Sequence, residues 1–326
     1  MARIGVFGAG AWGTALAIVA ARAGHEVTLV ARDPAVVEAI RTSRRNPRRL
    51  PEVELPPAIR PSTDPADLAG AALLLLAVPT QTLRAVLPAL PEPAPLLVLC
   101  CKGLELGTGL LPSEVVAACR PTASVGALSG PSFALEVARG LPTAVSLAFP
   151  DPAAARRAAD LLAQPSFRPY PTDDRTGVEI GGALKNVIAI AAGIVTGRGL
   201  GENARAALVT RGLAEIARLA EASGARRTTL MGLSGLGDLV LTATSAASRN
   251  WSLGFALGRG RPLAELSAEG APLAEGVFTA EAACARAARL RLELPITDAV
   301  RRVVAGSTSV GAAIEELLAR PLPEQE

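Results

Sequence analysis

The chain has 326 residues, half of them hydrophobic and only 3% aromatic, with a formal net charge of +3; this length suits about two domains. No basic run is interleaved with the nine Phe, Trp and Tyr residues, which excludes single-strand nucleic-acid binding by base stacking. Cys100, Cys101, Cys119 and Cys284 have no CxxC spacing and no partner histidine, so neither a zinc site nor a disulfide framework is expected.

In chain order, Arg3 to Phe7 reads as a strand and Gly13 to Ala23 as a helix, then Val27 to Ala31 as a strand and Pro34 to Ser43 as a helix. Asn46 to Pro61 reads as a proline-rich loop. Ala72 to Val78 is a continuously apolar strand, as expected for parallel strands buried on both faces. A helix over Gln81 to Leu90, a strand over Leu96 to Cys100, a helix over Leu111 to Cys119 and a strand over Ser124 to Leu128 continue the alternation. Thr143 to Ala148 and Phe167 to Pro171 are further strands around a helix from Pro152 to Gln164. The rhythm predicts a Rossmann-type, doubly wound α/β domain over residues 1–173. Beyond Thr172-Asp173-Asp174 only helical stretches follow: Arg175–Ile194, Asn203–Ser223, Arg227–Met231, Gly237–Thr242, Asn250–Gly258, Pro262–Ala268, Phe278–Leu290, Pro295–Ala305 and Val310–Leu318. Residues 174–326 are therefore expected to form an all-α domain. The first strand begins near residue 3, leaving no room for a signal peptide, and the apolar run Leu68 to Pro79 is too short to span a bilayer. A soluble, cytoplasmic protein without membrane insertion is expected.

Gly8-Ala9-Gly10-Ala11-Trp12-Gly13 matches G-x-G-x-x-G, and it follows an apolar strand and opens an apolar helix, the context that a dinucleotide site requires. Gly8 permits the tight turn, Gly10 lets the backbone approach a pyrophosphate, and Gly13 allows close helix packing. The phosphates would lie on the helix N-terminus with Ala11. The second strand ends Val30-Ala31-Arg32-Asp33-Pro34. Asp33 is available as the acid that an NAD site usually places here for the ribose hydroxyls, but before a proline it is better read as a helix N-cap. Arg32 either faces the ribose, where it pairs with the 2′-phosphate of NADPH, or is a solvated surface arginine.

Of 33 Lys and Arg residues only Lys102 and Lys185 are lysine, and His25 is the one histidine. Arginine cannot release its proton at working pH, so nitrogen acid/base chemistry has three candidates. His25 lies in a turn into a strand, a poor place for catalysis. Lys185 follows Gly181-Gly182-Ala183-Leu184 and precedes an apolar run. A buried ammonium there can be tuned towards neutral pH and can protonate a developing alkoxide. Asp238 and Thr242, four apart, would share one helix face and could hold Lys185 and the substrate oxygens in line. Ser248-Arg249-Asn250 ahead of a helix makes a phosphate cradle, with a two-pronged arginine beside free helix N–H groups.

Several segments taken together resemble the bacterial-type NAD(P)-dependent glycerol-3-phosphate dehydrogenases. They are Lys102-Gly103-Leu104-Glu105, Ser129-Gly130-Pro131-Ser132-Phe133-Ala134, Gly181 to Ile190, Thr210-Arg211-Gly212-Leu213-Ala214-Glu215, Gly235-Leu236-Gly237-Asp238-Leu239 and Ser248-Arg249-Asn250. Their order and spacing resemble the family from Gly8 to about Ser309. The resemblance implies reversible reduction of dihydroxyacetone phosphate to sn-glycerol 3-phosphate with NADPH or NADH, supplying glycerol 3-phosphate for phospholipid synthesis. It implies Lys185 as the acid/base, and Lys102, Gly130, Ser132, Asp238, Ser248, Arg249 and Asn250 around the substrate. It puts Trp12, Arg32, Lys102, Ala134, Arg249, Leu273 and Glu275 along the cofactor, and no metal. Departures from the family pattern are Thr196 for an aspartate, Ala31 for a tryptophan, and Leu273-Ala274-Glu275-Gly276 for Val-Val-Glu-Gly. A β-hydroxyacid or 6-phosphogluconate dehydrogenase shares the domain order and a catalytic lysine, and a nucleotide-binding redox sensor would leave Lys185 dispensable. The expected partner is a phosphorylated triose, not a nucleic acid. The oligomeric state stays open, with a homodimer as the candidate.

Overall fold

Strands buried on both faces must be apolar throughout, and the two faces must find separate helices to pack on. β1 (Arg3–Phe7), β2 (Glu26–Val30), β3 (Ile59–Ser62), β4 (Leu73–Leu76), β5 (Leu97–Leu99), β6 (Val125–Ser129), β7 (Thr143–Ala148) and β8 (Phe167–Thr172) form one sheet. A computed structural model describes residues 1–92, 96–268 and 274–321. The strand order is β3-β2-β1-β4-β5-β6-β7-β8, and every pair is parallel except β6 with β7. Along β4, Leu73 and Leu75 enter one core with α1 (Ala11–Arg22), and Leu74 and Leu76 enter the other with Leu83 and Val115. The order reverses between β1 and β4. Their C-terminal ends therefore open a crevice, where open α/β sheets take their ligands.

The connections carry α2 (Pro34–Ser43), α3 (Leu83–Val86), α4 (Pro112–Cys119), α5 (Ala134–Arg139) and α6 (Pro152–Leu162). After β8 come α7 (Arg175–Gly197), α8 (Glu202–Ala222), α9 (Arg227–Leu230), α10 (Asp238–Thr244), α11 (Arg249–Gly258), α12 (Leu263–Ala268), α13 (Glu275–Arg289), α14 (Pro295–Val304) and α15 (Val310–Leu318). Among the described residues the chain after Thr172 is helical or loop, as the sequence predicts. α7 is the hub, packed by α8, α10, α11, α13 and α14. Its length and composition would let it cross a membrane, but it is buried within the protein along nearly its whole length. This apolar stretch is longer than Leu68 to Pro79. α11 crosses α7 closely because glycines meet there. A Cβ on Gly254 would lie 1.9 Å from the Ile190 carbonyl oxygen, and one on Gly193 2.1 Å from that of Trp251.

The elements differ from expectation in five places. β3 occupies the end of the predicted proline-rich loop, because Pro61 sits on the edge strand, where a missing N–H is tolerated. The helix expected over Gln81 to Leu90 breaks into 3₁₀ turns around α3, with Pro88 inside the second. α5 was not foreseen; Gly140 ends it in a left-handed conformation. α13 begins at Glu275 rather than Phe278. A π-helical turn, Leu233–Gly237, precedes α10. His25 is structural: Nδ1 accepts from the Ala2 N–H (3.2 Å), so Nε2 carries the proton and donates to the Leu161 carbonyl (2.8 Å).

Candidate active site

Lys185 lies mid-way along α7, 6% exposed, and its extended side chain meets α10. Its Nζ donates to Asp238 Oδ1 at 2.5 Å and to Thr242 Oγ1 at 2.9 Å. The i, i+4 spacing of Asp238 and Thr242 puts both on the face of α10 towards α7, as predicted. The other carboxylate oxygen of Asp238 takes Lys102 Nζ at 2.6 Å, and the Ser129 hydroxyl donates to it at 3.4 Å. Lys102 also donates to the Gly130 carbonyl (3.3 Å), to which the Ser132 hydroxyl donates from 2.8 Å. Lys102 follows β5, and Ser129 ends β6, so Asp238 joins the ends of two sheet strands to α7. The π-helical turn delivers that carboxylate. It fits because Gly235 packs on Leu230, where a Cβ would lie 2.0 Å from the carbonyl oxygen.

Both lysines in the sequence thus share one buried carboxylate. Burial strips the Lys185 ammonium of water and pulls its pKa down to about 7; Asp238 opposes this fall and the second ammonium of Lys102 adds to it. Burial alone would raise the Asp238 carboxyl, but Lys102 and Lys185 outweigh it and hold it below the usual carboxylate range.

Asn186, next to Lys185, extends the site towards α11. Asn250 Nδ2 donates to Asn186 Oδ1 at 3.0 Å, and Asn250 Oδ1 accepts from the Gly276 N–H at 3.0 Å. Ser248 caps α11, its hydroxyl oxygen accepting from Trp251 N–H at 3.2 Å, and Arg249 stands exposed beside it. Asn250 and the Ser248 oxygen therefore have protein partners already, and Arg249 is the cationic arm of the proposed cradle. Glu275 lies within the field of Arg249. Burial raises its carboxyl despite that arginine, and its Oε2 is buried with no hydrogen-bond partner.

The glycine turn fits a dinucleotide. Gly8 has φ +111, which L side chains rarely adopt, and a Cβ on Gly13 would lie 1.9 Å from the Gly8 carbonyl oxygen. Above Gly10 nothing stands within 4 Å of a built Cβ, and this N-cap of α1 has no side-chain cap, so Ala11 and its neighbours keep free N–H groups for phosphate. Trp12 packs against the core with its indole N–H buried and unpaired. Ala134 opens α5, which packs on α1. Asp33 is the N-cap of α2, accepting from Ala35 N–H at 2.9 Å, and Arg32 is exposed beside it. Leu273 lies outside the described residues.

Sequence reasoning missed Ser129 and Asn186 as site residues. Ser129 and Asn186 stand beside assigned residues in the motifs, but nothing in the spacing shows which neighbour turns inward. Among the described residues no three His, Cys, Asp or Glu side chains gather as a cation site.

Two family models match the chain: the N-terminus of NAD-dependent glycerol-3-phosphate dehydrogenase over residues 3–155 and its C-terminus over residues 174–315. The chain is 54% identical to a glycerol-3-phosphate dehydrogenase [NAD(P)+] of Rhodospirillum rubrum, over 98% of this chain and 93% of the relative. It is 55% identical to that of Methylobacterium radiotolerans over 98% and 97%. Its fold matches the crystal structure of glycerol-3-phosphate dehydrogenase from Coxiella burnetii with a TM-score of 0.92, at 39% identity, covering 98% of this chain and 99% of the other.

Proposed function

The chain belongs to the NAD-dependent glycerol-3-phosphate dehydrogenase family, and from that premise we propose how its residues carry the reaction. It is an NAD(P)-dependent oxidoreductase that interconverts glycerol 3-phosphate and dihydroxyacetone phosphate. A dinucleotide held on the glycine turn would supply the hydride to the ketone carbon in reduction and would accept it from the carbinol carbon in oxidation. Lys185 gives its proton to the developing alkoxide in reduction, and in its neutral form takes the hydroxyl proton in oxidation. The observation that carries this role is Lys185 Nζ held by Asp238 and Thr242 with a pKa drawn to about 7, where both protonation states are populated. Asp238 orients Lys185 and holds Lys102, whose third N–H is left for a substrate oxygen. Thr242 fixes the direction of the Nζ–H bonds. Arg249 holds the phosphate from the start of α11, with Ser248 and Asn250 shaping the backbone there, and Gly130 and Ser132 line the opposite wall. Gly8, Gly10, Ala11, Trp12, Gly13, Arg32, Ala134 and Glu275 line the dinucleotide path, with Arg32 at the 2′-phosphate of NADPH.

The same reading divides the chain at 173/174, places it in the cytoplasm with a homodimer as the candidate assembly, and assigns it the supply of glycerol 3-phosphate for phospholipid synthesis. Its test is turnover of dihydroxyacetone phosphate followed by NADPH absorbance. Lys185→Ala should lower kcat by roughly 10²–10⁴-fold with cofactor binding kept. Lys185→Arg should fail as well, since it keeps the charge but has no transferable proton. Near-normal turnover in the arginine variant rejects the assignment.

A further inference from the structure

The loop between α2 and β3 carries four arginines from 44 to 49 and is fastened to the glycine turn. Asn46 is fully buried and donates Nδ2 to the Ala9 carbonyl (3.0 Å) and to Thr14 Oγ1 (2.9 Å). Thr14 N–H in turn donates to the Gly10 carbonyl (2.9 Å). The loop therefore holds one position relative to the phosphate-binding backbone. Arg44, in a left-handed conformation (φ 53), turns inward and donates to the carbonyls of Leu55 (3.2 Å) and Ile59 (3.1 Å), which closes the loop on itself. Between these anchors Arg48 reaches back to the end of β2, with Nη1 2.5 Å from Asp33 Oδ2. The other oxygen of Asp33 is the one that caps α2.

An acid at this point of a doubly wound sheet takes the ribose hydroxyls of an unphosphorylated dinucleotide and repels a 2′-phosphate. Here both oxygens of that acid are engaged. Resting on the reading of Arg32 as the residue that meets the 2′-phosphate, we infer that Arg48 is a specificity-determining residue acting through Asp33. It neutralises the carboxylate beside Arg32, so that the adenosine end accepts a 2′-phosphorylated dinucleotide; Asn46 is the positioning residue that keeps it there. Both partners of the pair are open to solvent, with side chains 65% and 40% exposed, so the pair adds little to stability. What it changes is the charge that an arriving phosphate meets.

The test is the Kd of NADPH and of NADH, read by quenching of tryptophan fluorescence at low ionic strength, for the wild type and four variants. Arg48→Ala should weaken NADPH by about threefold to tenfold, the effect of uncovering one charge near another in a water-rich setting, with no loss for NADH. Adding Asp33→Asn to Arg48→Ala should restore NADPH, because asparagine still caps α2 but carries no charge. Asp33→Asn alone should leave NADPH binding intact. Equal losses for both cofactors in Arg48→Ala, or no rescue by Asp33→Asn, overturns the inference. Arg32→Ala separates the two ideas. If it leaves NADPH binding unchanged, the Arg32 reading falls and this inference with it. If it weakens NADPH while Arg48→Ala does not, only the role of Arg48 falls.

Discussion

Lys185 is buried and holds two protein partners, whereas Arg249 and Arg32 stand exposed. The difference follows from what each group must do. A lysine exchanges its proton near neutral pH only when desolvation draws its pKa down, and a buried ammonium persists only beside a carboxylate. A guanidinium has no proton to lend. It needs only reach and geometry, and to bury it before its anion arrives would cost desolvation with nothing to offset it. Substitutions at the two kinds of position should therefore fail in different ways.

The sharpest separation comes from Arg249. Arg249→Ala should reduce kcat/KM for dihydroxyacetone phosphate by roughly thirty-fold to several thousand-fold, the usual 2–5 kcal/mol for truncating one side of a desolvated charge pair. The much weaker activity on unphosphorylated dihydroxyacetone should fall far less. Equal losses on both substrates would make Arg249 a support of the fold or the cofactor. The buried group should reveal itself by pH instead. With the Lys185 pKa drawn to about 7, kcat for reduction should fall about tenfold per pH unit above that value, as the acid loses its proton. Oxidation should fall below it, where the base is protonated. Profiles that do not oppose one another would remove Lys185 from the proton path. Arg32→Ala should weaken NADPH binding on the order of tenfold or more, the range of a hydrogen bond to a charged group, with NADH little changed.

The smallest effect tests whether burial without chemistry titrates too. Glu179 on α7 accepts from Ser113 N–H (2.8 Å) and its hydroxyl (2.6 Å), and burial lifts its pKa to about 7 although Ser113 and Arg175 pull it down. A carboxyl raised in the folded state contributes stability that is complete below the ordinary carboxyl pKa of about 4.5 and is lost as pH rises through about 7. Part of the fall in Tm from pH 5 to pH 8 should therefore vanish in Glu179→Gln, while the pH profile of kcat stays put. An unchanged Tm difference between the two pH values would show that Glu179 does not titrate there.

The sequence by itself determined the alternation of strands and helices, the all-helical second half and the glycine turn, because each rests on local periodicity or on glycine's freedom at one place. It also singled out Lys185, since a chain with two lysines and one histidine has few proton carriers, and the α10 face, since Asp238 and Thr242 lie one turn apart. It missed β3 and α5, whose short segments have no period of their own and exist through pairing with β2 and packing on α1. Only the tertiary structure decided that Lys102 and Lys185 would share Asp238, across sequence separations of 136 and 53 residues. The same holds for the π-helical turn that delivers that carboxylate, and for Asn46, which fastens a loop to a turn 37 residues away. Spacing along the chain reports which side chains share a face of one element. Which faces meet, and so which charges lose water together, is settled by packing.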